Sequence, residues 1–166
     1  MSIITHSEQR IGIFIDIENL YYSAKNLFRA RVNFRQLLKD ITKGRKLIRA
    51  IAYVIKTEKG EEKPFFEALS HLGIETKIKQ LLVYNGFKKA DWDVGITVDT
   101  IKISPMLDTV IILSGDGDFL PLVEYLKNLG KQVEIVSFAK STSSKLKELA
   151  DSFFDIGSSR KYFYKS

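Results

Sequence analysis

Strand-length apolar runs alternate with stretches of helical period along almost the whole chain, the signature of βαβ units and a mainly parallel sheet. Strands are expected near 10–16, 47–56, 74–79, 109–114 and 132–138, with a further one at 153–156. The first intervening helix covers about 19–29, and a second follows Asn33 as N-cap through Phe34, Leu37, Leu38 and Ile41. A third spans about 61–72 with Pro64 in its first turn, where a missing N–H is tolerated. A fourth runs from about Asp91 to Ile103 and stops at Ser104-Pro105. Gly117 or Asp118 opens a fifth, to about Asn128, closed by Gly130, and Ser143 or Ser144 begins a short sixth. The 166 residues are expected to form one α/β unit, with a core over about 10–140 and a C-terminal helix, strand and basic-aromatic tail over 141–166.

Two of the apolar runs end in acids. Ile11-Gly12-Ile13-Phe14-Ile15 leads into Asp16-Ile17-Glu18-Asn19, and Val110-Ile111-Ile112-Leu113 leads into Ser114-Gly115-Asp116-Gly117-Asp118. If both are parallel strands of one sheet, their carboxyl ends share the edge where open α/β folds place ligands. Asp91 and Asp93 open the fourth helix, and Asp99 lies on its apolar stripe with Trp92, Ile96 and Ile103. A carboxylate on such a face needs a cationic partner or a metal, so Asp99 pairs with a Lys or Arg or joins the site. Asp91 and Asp118 are also good N-caps, and the two glycines also suit a tight strand-to-helix turn. Asn19 either caps the first helix or orients a water at the same edge.

The chain has no cysteine and only two histidines, His6 and His71, which excludes disulfides and thiolate metal sites. Any metal must be hard and oxygen-ligated. Magnesium suits this donor set, since it takes oxygen ligands and needs few carboxylates from the protein. A bound ion would stabilise charge developing at phosphorus during hydrolysis, with no histidine or cysteine nucleophile required.

The formal charge of +6 is unevenly spread. Nine basic residues lie between Lys25 and Arg49, Lys25, Arg29, Arg31 and Arg35 among them, against the single acid Asp40. Such density suits a phosphate backbone, and equally a solvated helix face. The stretch 83–90, which includes Lys88 and Lys89, is expected as a loop with Asn85-Gly86 as its turn. Arg160 to Lys165 mixes cations with rings, as base-stacking surfaces do, although an aromatic strand edge or a tail packed on the core is the expected use. Phe65, Phe66 and Tyr125 are expected in the core, with a homodimer surface as the other option. The first nine residues lack a signal peptide's basic and apolar regions, and the apolar runs are only strand-sized, so a soluble cytoplasmic protein without a membrane partner is expected.

Three segments together carry a family resemblance. Asp16-Ile17-Glu18-Asn19 after a strand, then Lys89-Ala90-Asp91-Trp92-Asp93 through Asp99, then Leu113-Ser114-Gly115-Asp116-Gly117-Asp118-Phe119 through Val123, resemble in order the NYN domain family of PIN-like ribonucleases, in its bacterial LabA-like branch. The resemblance implies a Rossmann-like three-layer αβα sandwich, a divalent cation (Mg²⁺ or Mn²⁺) held by acids, and cleavage or processing of RNA. It places the site at Asp16, Asn19, Asp93, Asp99, Asp116 and Asp118, with Asp16, Asp93 and Asp116 as metal ligands. The family often has lysine and glycine just before the middle aspartate, whereas here Lys88-Lys89 stand further upstream and Asp91-Trp92 intervenes. Lys88, Lys89, Lys25, Arg29, Arg31 and Arg35 would then hold the phosphate backbone.

Other readings fit less well. A TOPRIM domain wants a glutamate at the end of its first strand, where this chain has Asp16. A receiver domain wants a phosphoacceptor aspartate after its third strand, and here none follows until Asp91. The glycine-lysine loop of P-loop NTPases is missing. A non-catalytic nucleic-acid-binding or regulatory protein that keeps the fold remains the alternative to the nuclease.

Overall fold

Arg10–Asp16 (β1) is apolar on both faces, and six of its seven residues are buried, so it can only be an interior strand of a covered sheet. In the computed structural model, which describes residues 3–57, 60 and 62–164 (only the backbone for 82–84 and 87–89), β1 lies at the centre of a parallel six-stranded sheet. On one side it pairs with Lys46–Lys56 (β3), which pairs in turn with Glu75–Gln80 (β4). On the other side come Thr109–Leu113 (β7), Gln132–Ser137 (β8) and Ser152–Asp155 (β9), giving the order β4-β3-β1-β7-β8-β9.

Helices cover both faces. Ile17–Phe28 (α1), Phe34–Thr42 (α2) and Lys63–His71 (α3) supply Leu20, Leu37, Ile41 and Leu69 to one core layer, with Ile11, Ile13 and Ile15 of β1 facing them. Asp93–Ile103 (α4), Leu120–Asn128 (α5) and Ser144–Leu149 (α6) supply Ile96, Leu122, Leu126 and Leu146 to the other, against Phe14 and Ile112. The expected α/β sandwich is thus observed. Its caps are local sequence choices: Asn33 Oδ1 accepts the Gln36 N–H at 3.2 Å, Ser143 starts α6, and Gly130 takes the left-handed conformation just after α5.

Two short pairings differ from expectation. The stretch expected as a loop folds as a hairpin, Leu82–Tyr84 (β5) against Phe87–Lys89 (β6), because Asn85 and Gly86 both adopt positive φ and their twist matches paired strands. Arg31–Val32 (β2) pairs antiparallel with Phe163–Tyr164 (β10), so the tail is stitched to the α1–α2 connection. Phe163 packs on Phe28 and Phe138, and the Tyr162 hydroxyl donates to Asp40 at 2.7 Å, so these two rings serve the core as expected, while Tyr164 lies on the strand edge and is exposed. Of the three aromatics expected in the core, Phe66 packs there, whereas Tyr125 is 46% exposed and Phe65 36%. Among the described residues no helix is long and apolar enough to cross a membrane.

The connection from β1 crosses towards β3, while β7 pairs on the opposite side of β1. The carboxyl ends of β1 and β7 therefore flank the point where strand order reverses, and Ile15 stands beside Leu113 there.

Candidate metal centre

At this edge the chain brings together residues about 100 positions apart. Asp16 ends β1 and caps α1, accepting the Asn19 N–H on Oδ1 at 3.4 Å, while its Oδ2 accepts the Ser114 hydroxyl at 3.0 Å. Asn19, for which the sequence left capping the helix and orienting a water both open, does not cap: it sits inside α1 and reaches across the edge, where its Oδ1 accepts the Gly115 N–H at 3.0 Å. Ser114 Oγ also accepts the Asp116 N–H at 3.2 Å, so one hydroxyl ties Asp16 to the loop after β7.

Asp116 and Asp118 divide their roles in the reverse of the capping expectation. Asp116 Oδ1 accepts the Asp118 N–H at 2.9 Å and caps the turn 117–119, whereas Asp118 makes no such bond and is exposed. Gly115 is required for approach rather than for a positive φ. A Cβ there would lie 2.7 Å from Thr142 Oγ1 and 3.0 Å from Thr142 Cα. Asp91, as expected of a helix-start acid, accepts the N–H of Asp93 at 3.1 Å.

Asp93, Asp116 and Asp118 each offer a carboxylate oxygen, all within 4.8 Å of one another. Such a group fits a hard cation, because three carboxylates this close repel each other and an oxygen-liganded divalent ion removes the repulsion. Burial, with the charges of Asp116, Asp16 and Asp91, pushes the Asp93 carboxyl up to about 7. Burial pushes Asp16 up to about 6, against the Ser114 and Asn19 hydrogen bonds that favour its charged form. Asp16 lies beside the three and adds to their field, but both its oxygens are already engaged by protein donors.

Asp99 is placed elsewhere. Its carboxylate accepts from Lys77 Nζ at 2.6 Å and from the Tyr53 hydroxyl at 2.9 Å, which resolves the choice posed by the helix stripe in favour of a cationic partner. These hydrogen bonds hold the Asp99 carboxyl below its usual range despite burial, the largest opposing effect. Trp92 fixes the start of α4: its indole N–H donates to Val54 O at 2.9 Å, and its ring lies where a Cβ on Gly95 would stand.

The basic segment splits in two. Arg45 is wholly buried and bonded to Glu134 at 2.7 Å, Lys46 pairs with Glu8, and Arg49 with Glu75, so these three serve the fold. Lys25, Arg29, Arg31 and Arg35 are exposed, with no ion-pair partner among the described residues. The side chains of Lys88 and Lys89 lie outside the described residues. Sequence reasoning gave Ser114 no role, although it stands inside the Ser-Gly-Asp-Gly-Asp motif; its position as the last residue before the paired acids was the available signal.

Residues 10–157 match the NYN domain family. The chain belongs to the NYN domain family. It is 26% identical over 169 residues to the low amplitude and bright protein LabA of Synechococcus elongatus, covering 95% of this chain and 89% of that protein. It is also 28% identical to an uncharacterized protein of Methanocaldococcus jannaschii, covering 90% of this chain but 56% of that longer protein. A crystal structure of a protein of unknown function from Vibrio parahaemolyticus superposes with a TM-score of 0.88 at 32% identity, covering 98% of this chain and 100% of that one. For this NYN domain, membership is nuclease-like, and the aspartate group is placed where the fold puts its ligands.

Proposed function

We propose that this chain is a divalent-metal-dependent endoribonuclease that hydrolyses RNA phosphodiester bonds at the edge formed by β1, β7 and α4. The observation that carries the reading is the convergence of Asp93, Asp116 and Asp118 within 4.8 Å. Magnesium or manganese held by these acids would supply the positive charge that offsets charge accumulating on the phosphate. Asp16, Asn19 and Ser114 position the loop that carries two of the three acids. Lys25, Arg29, Arg31 and Arg35, with Lys88 and Lys89 on the hairpin before Asp91, offset the acids' repulsion of a polyanion.

The test is cleavage of single-stranded and structured RNAs by purified protein in magnesium or manganese. Cleavage should vanish in chelator and fall in Asp93→Asn and Asp116→Asn by at least the roughly 10- to 100-fold that losing even a group supporting a metal ligand costs. RNAs left intact, with Asp116→Asn behaving like the parent, would remove the nuclease reading. RNA that is bound but never cut would favour the binding protein instead.

A further inference from the structure

Beside the aspartate edge, on the face covered by α1 and α3, lies a cavity of about 520 Å³ that the acids do not use. Its volume is in the range of small-ligand sites. Aromatic side chains form much of its wall, including Tyr21, Tyr22 and Phe65, and it begins at Ile17 and Glu18, immediately after Asp16. Tyr21 and Tyr22 are about half exposed, with ring centroids 5.4 Å apart and planes at 78°, so two ring surfaces of different orientation are offered to an occupant. Two hydrogen-bond acceptors stand in the same wall. Glu18 is half-buried, and Glu62 Oε2 is buried with no hydrogen-bond partner among the described residues.

A second, more open groove of about 560 Å³ continues from the first and shares Tyr21, Ala30, Arg31 and Tyr164 with it. Lys25 and Arg29 complete its cationic side. From the Asp16 cap to these cations the path follows the 12 residues of α1, about 18 Å at the helical rise, so acids, rings and cations lie in that order along one helix. Cations that track a backbone beside rings that accept bases are the two parts of a single-strand binding surface. The acceptors add a match to the N–H and amino groups on base edges, which a lipid tail or an apolar peptide would leave unused.

We propose that the cavity receives one unstacked base of a single-stranded RNA, while Lys25, Arg29 and Arg31 hold the phosphates beyond it. This rests on the reading of the chain as acting on RNA, and it adds a strand preference: a base can enter only if it is free of a duplex. A paired stem offers its bases to no such cavity without the cost of extrusion.

Fluorescence anisotropy with a short fluorescein-labelled RNA in chelator measures this without turnover. Tyr22→Ala, which removes a stacking surface, and Ala68→Trp, which fills the cavity from an exposed wall position, should each weaken single-strand binding roughly tenfold. Lys25→Ala should lower the slope of log affinity against log salt by about 0.7. A duplex of the same sequence should bind more weakly than the single strand and respond to neither cavity variant. The proposal is overturned if both cavity variants bind within twofold of the parent while their melting curves match it, if the duplex binds as tightly as the single strand, or if single-stranded DNA binds better than RNA. Metal-dependent cleavage by the parent is scored separately. Its absence removes the nuclease reading, while the cavity stands or falls on the binding data.

Discussion

Asn19 Oδ1 accepts the N–H of Gly115 at 3.0 Å, so the first helix holds the loop that follows the fourth strand of the central sheet. The residues are 96 positions apart, and the bond spans the point where strand order reverses. Asn19→Ala leaves the Gly115 N–H without that acceptor, and part-buried donors without partners cost about 1–3 kcal/mol. Chemical denaturation should show a loss of that size. Thermal stabilisation by manganese should shrink as well, since the loop carries Asp116 and Asp118; an unchanged manganese response would show that the loop needs no such tether.

The carboxylate group and Asp99 should separate cleanly in metal titrations. Asp93→Asn, Asp116→Asn and Asp118→Asn each remove one member of the 4.8 Å cluster and should reduce or abolish the rise in melting temperature produced by manganese. Asp99→Asn loses the ion pair with Lys77 and should keep the manganese response in full. A lost response in Asp99→Asn would require the cluster to extend further along α4 than its geometry indicates.

Without metal, stability should fall as pH rises through neutrality. Asp16 and Asp93 have folded-state values of about 6 and about 7, above the ordinary 3.8, so the folded chain binds their protons more tightly than the unfolded chain does. Their contribution is complete below the unfolded value and disappears as pH climbs through the folded values. Melting scans in chelator should therefore show a lower transition at about pH 8 than at about pH 5.5, with a smaller difference in Asp93→Asn. Arg10 lowers Asp108 to about 2, the opposite sign, but that window lies below 3.8 and leaves this interval untouched. A flat profile between the two pH values would argue against carboxylate repulsion at the edge.

Arg45 and Glu134 form the costliest pair to break. Both side chains are buried, at 0% and 5% exposure, and Arg45 also donates to Gln9 Oε1 and Ile41 O. Arg45→Ala strands a buried carboxylate and should cost about 3–5 kcal/mol. The exposed Arg10–Asp108 pair should respond far less to the same truncation, and comparable urea midpoints for Arg45→Ala and Arg10→Ala would contradict the burial argument.

Gly115→Ala places a methyl 2.7 Å from Thr142 Oγ1 and 3.0 Å from backbone at Thr142, so relief requires the loop or strand end to move. A cost of about 1–3 kcal/mol is expected, together with weaker manganese binding. Gly130→Ala has open space but sits at a φ of +82°, so its cost should appear in stability and leave the metal response intact.

The six principal strands and six helices are legible because each carries a period or a cap: β1 is continuously apolar, α2 repeats apolar residues behind Asn33, and α4 ends at Ser104-Pro105. β2 and β10 are not legible, since two-residue strands have no period and their pairing joins Val32 to Phe163 across most of the chain. The hairpin at 82–89 is half visible, because its Asn-Gly turn shows in the sequence while the three-residue strands around it are too short to carry a period. At the edge, sequence could place acids at strand ends but not say which oxygens protein donors would take. Asp16 accepts from Asn19 and Ser114, Asp116 caps the turn, and the exposed Asp118 joins Asp93 and Asp116 in the group of oxygens within 4.8 Å. Arg45 looked like any other cation of its segment, because its partner Glu134 lies 89 residues away.

The central strand is synthesised first, yet its two neighbours come from residues 46–56 and 109–113. At about 5–20 residues per second, a ribosome needs roughly 5–20 s to pass from Asp16 to Asp116. Throughout that interval Ile11 to Ile15 has no partner on the β7 side, and the three carboxylates exist only as separated acids on an incomplete chain. A nascent copy therefore cannot bring the three aspartates together until the strand at 109–113 and the loop after it have been made and have paired with a strand that has waited since the start of the sheet.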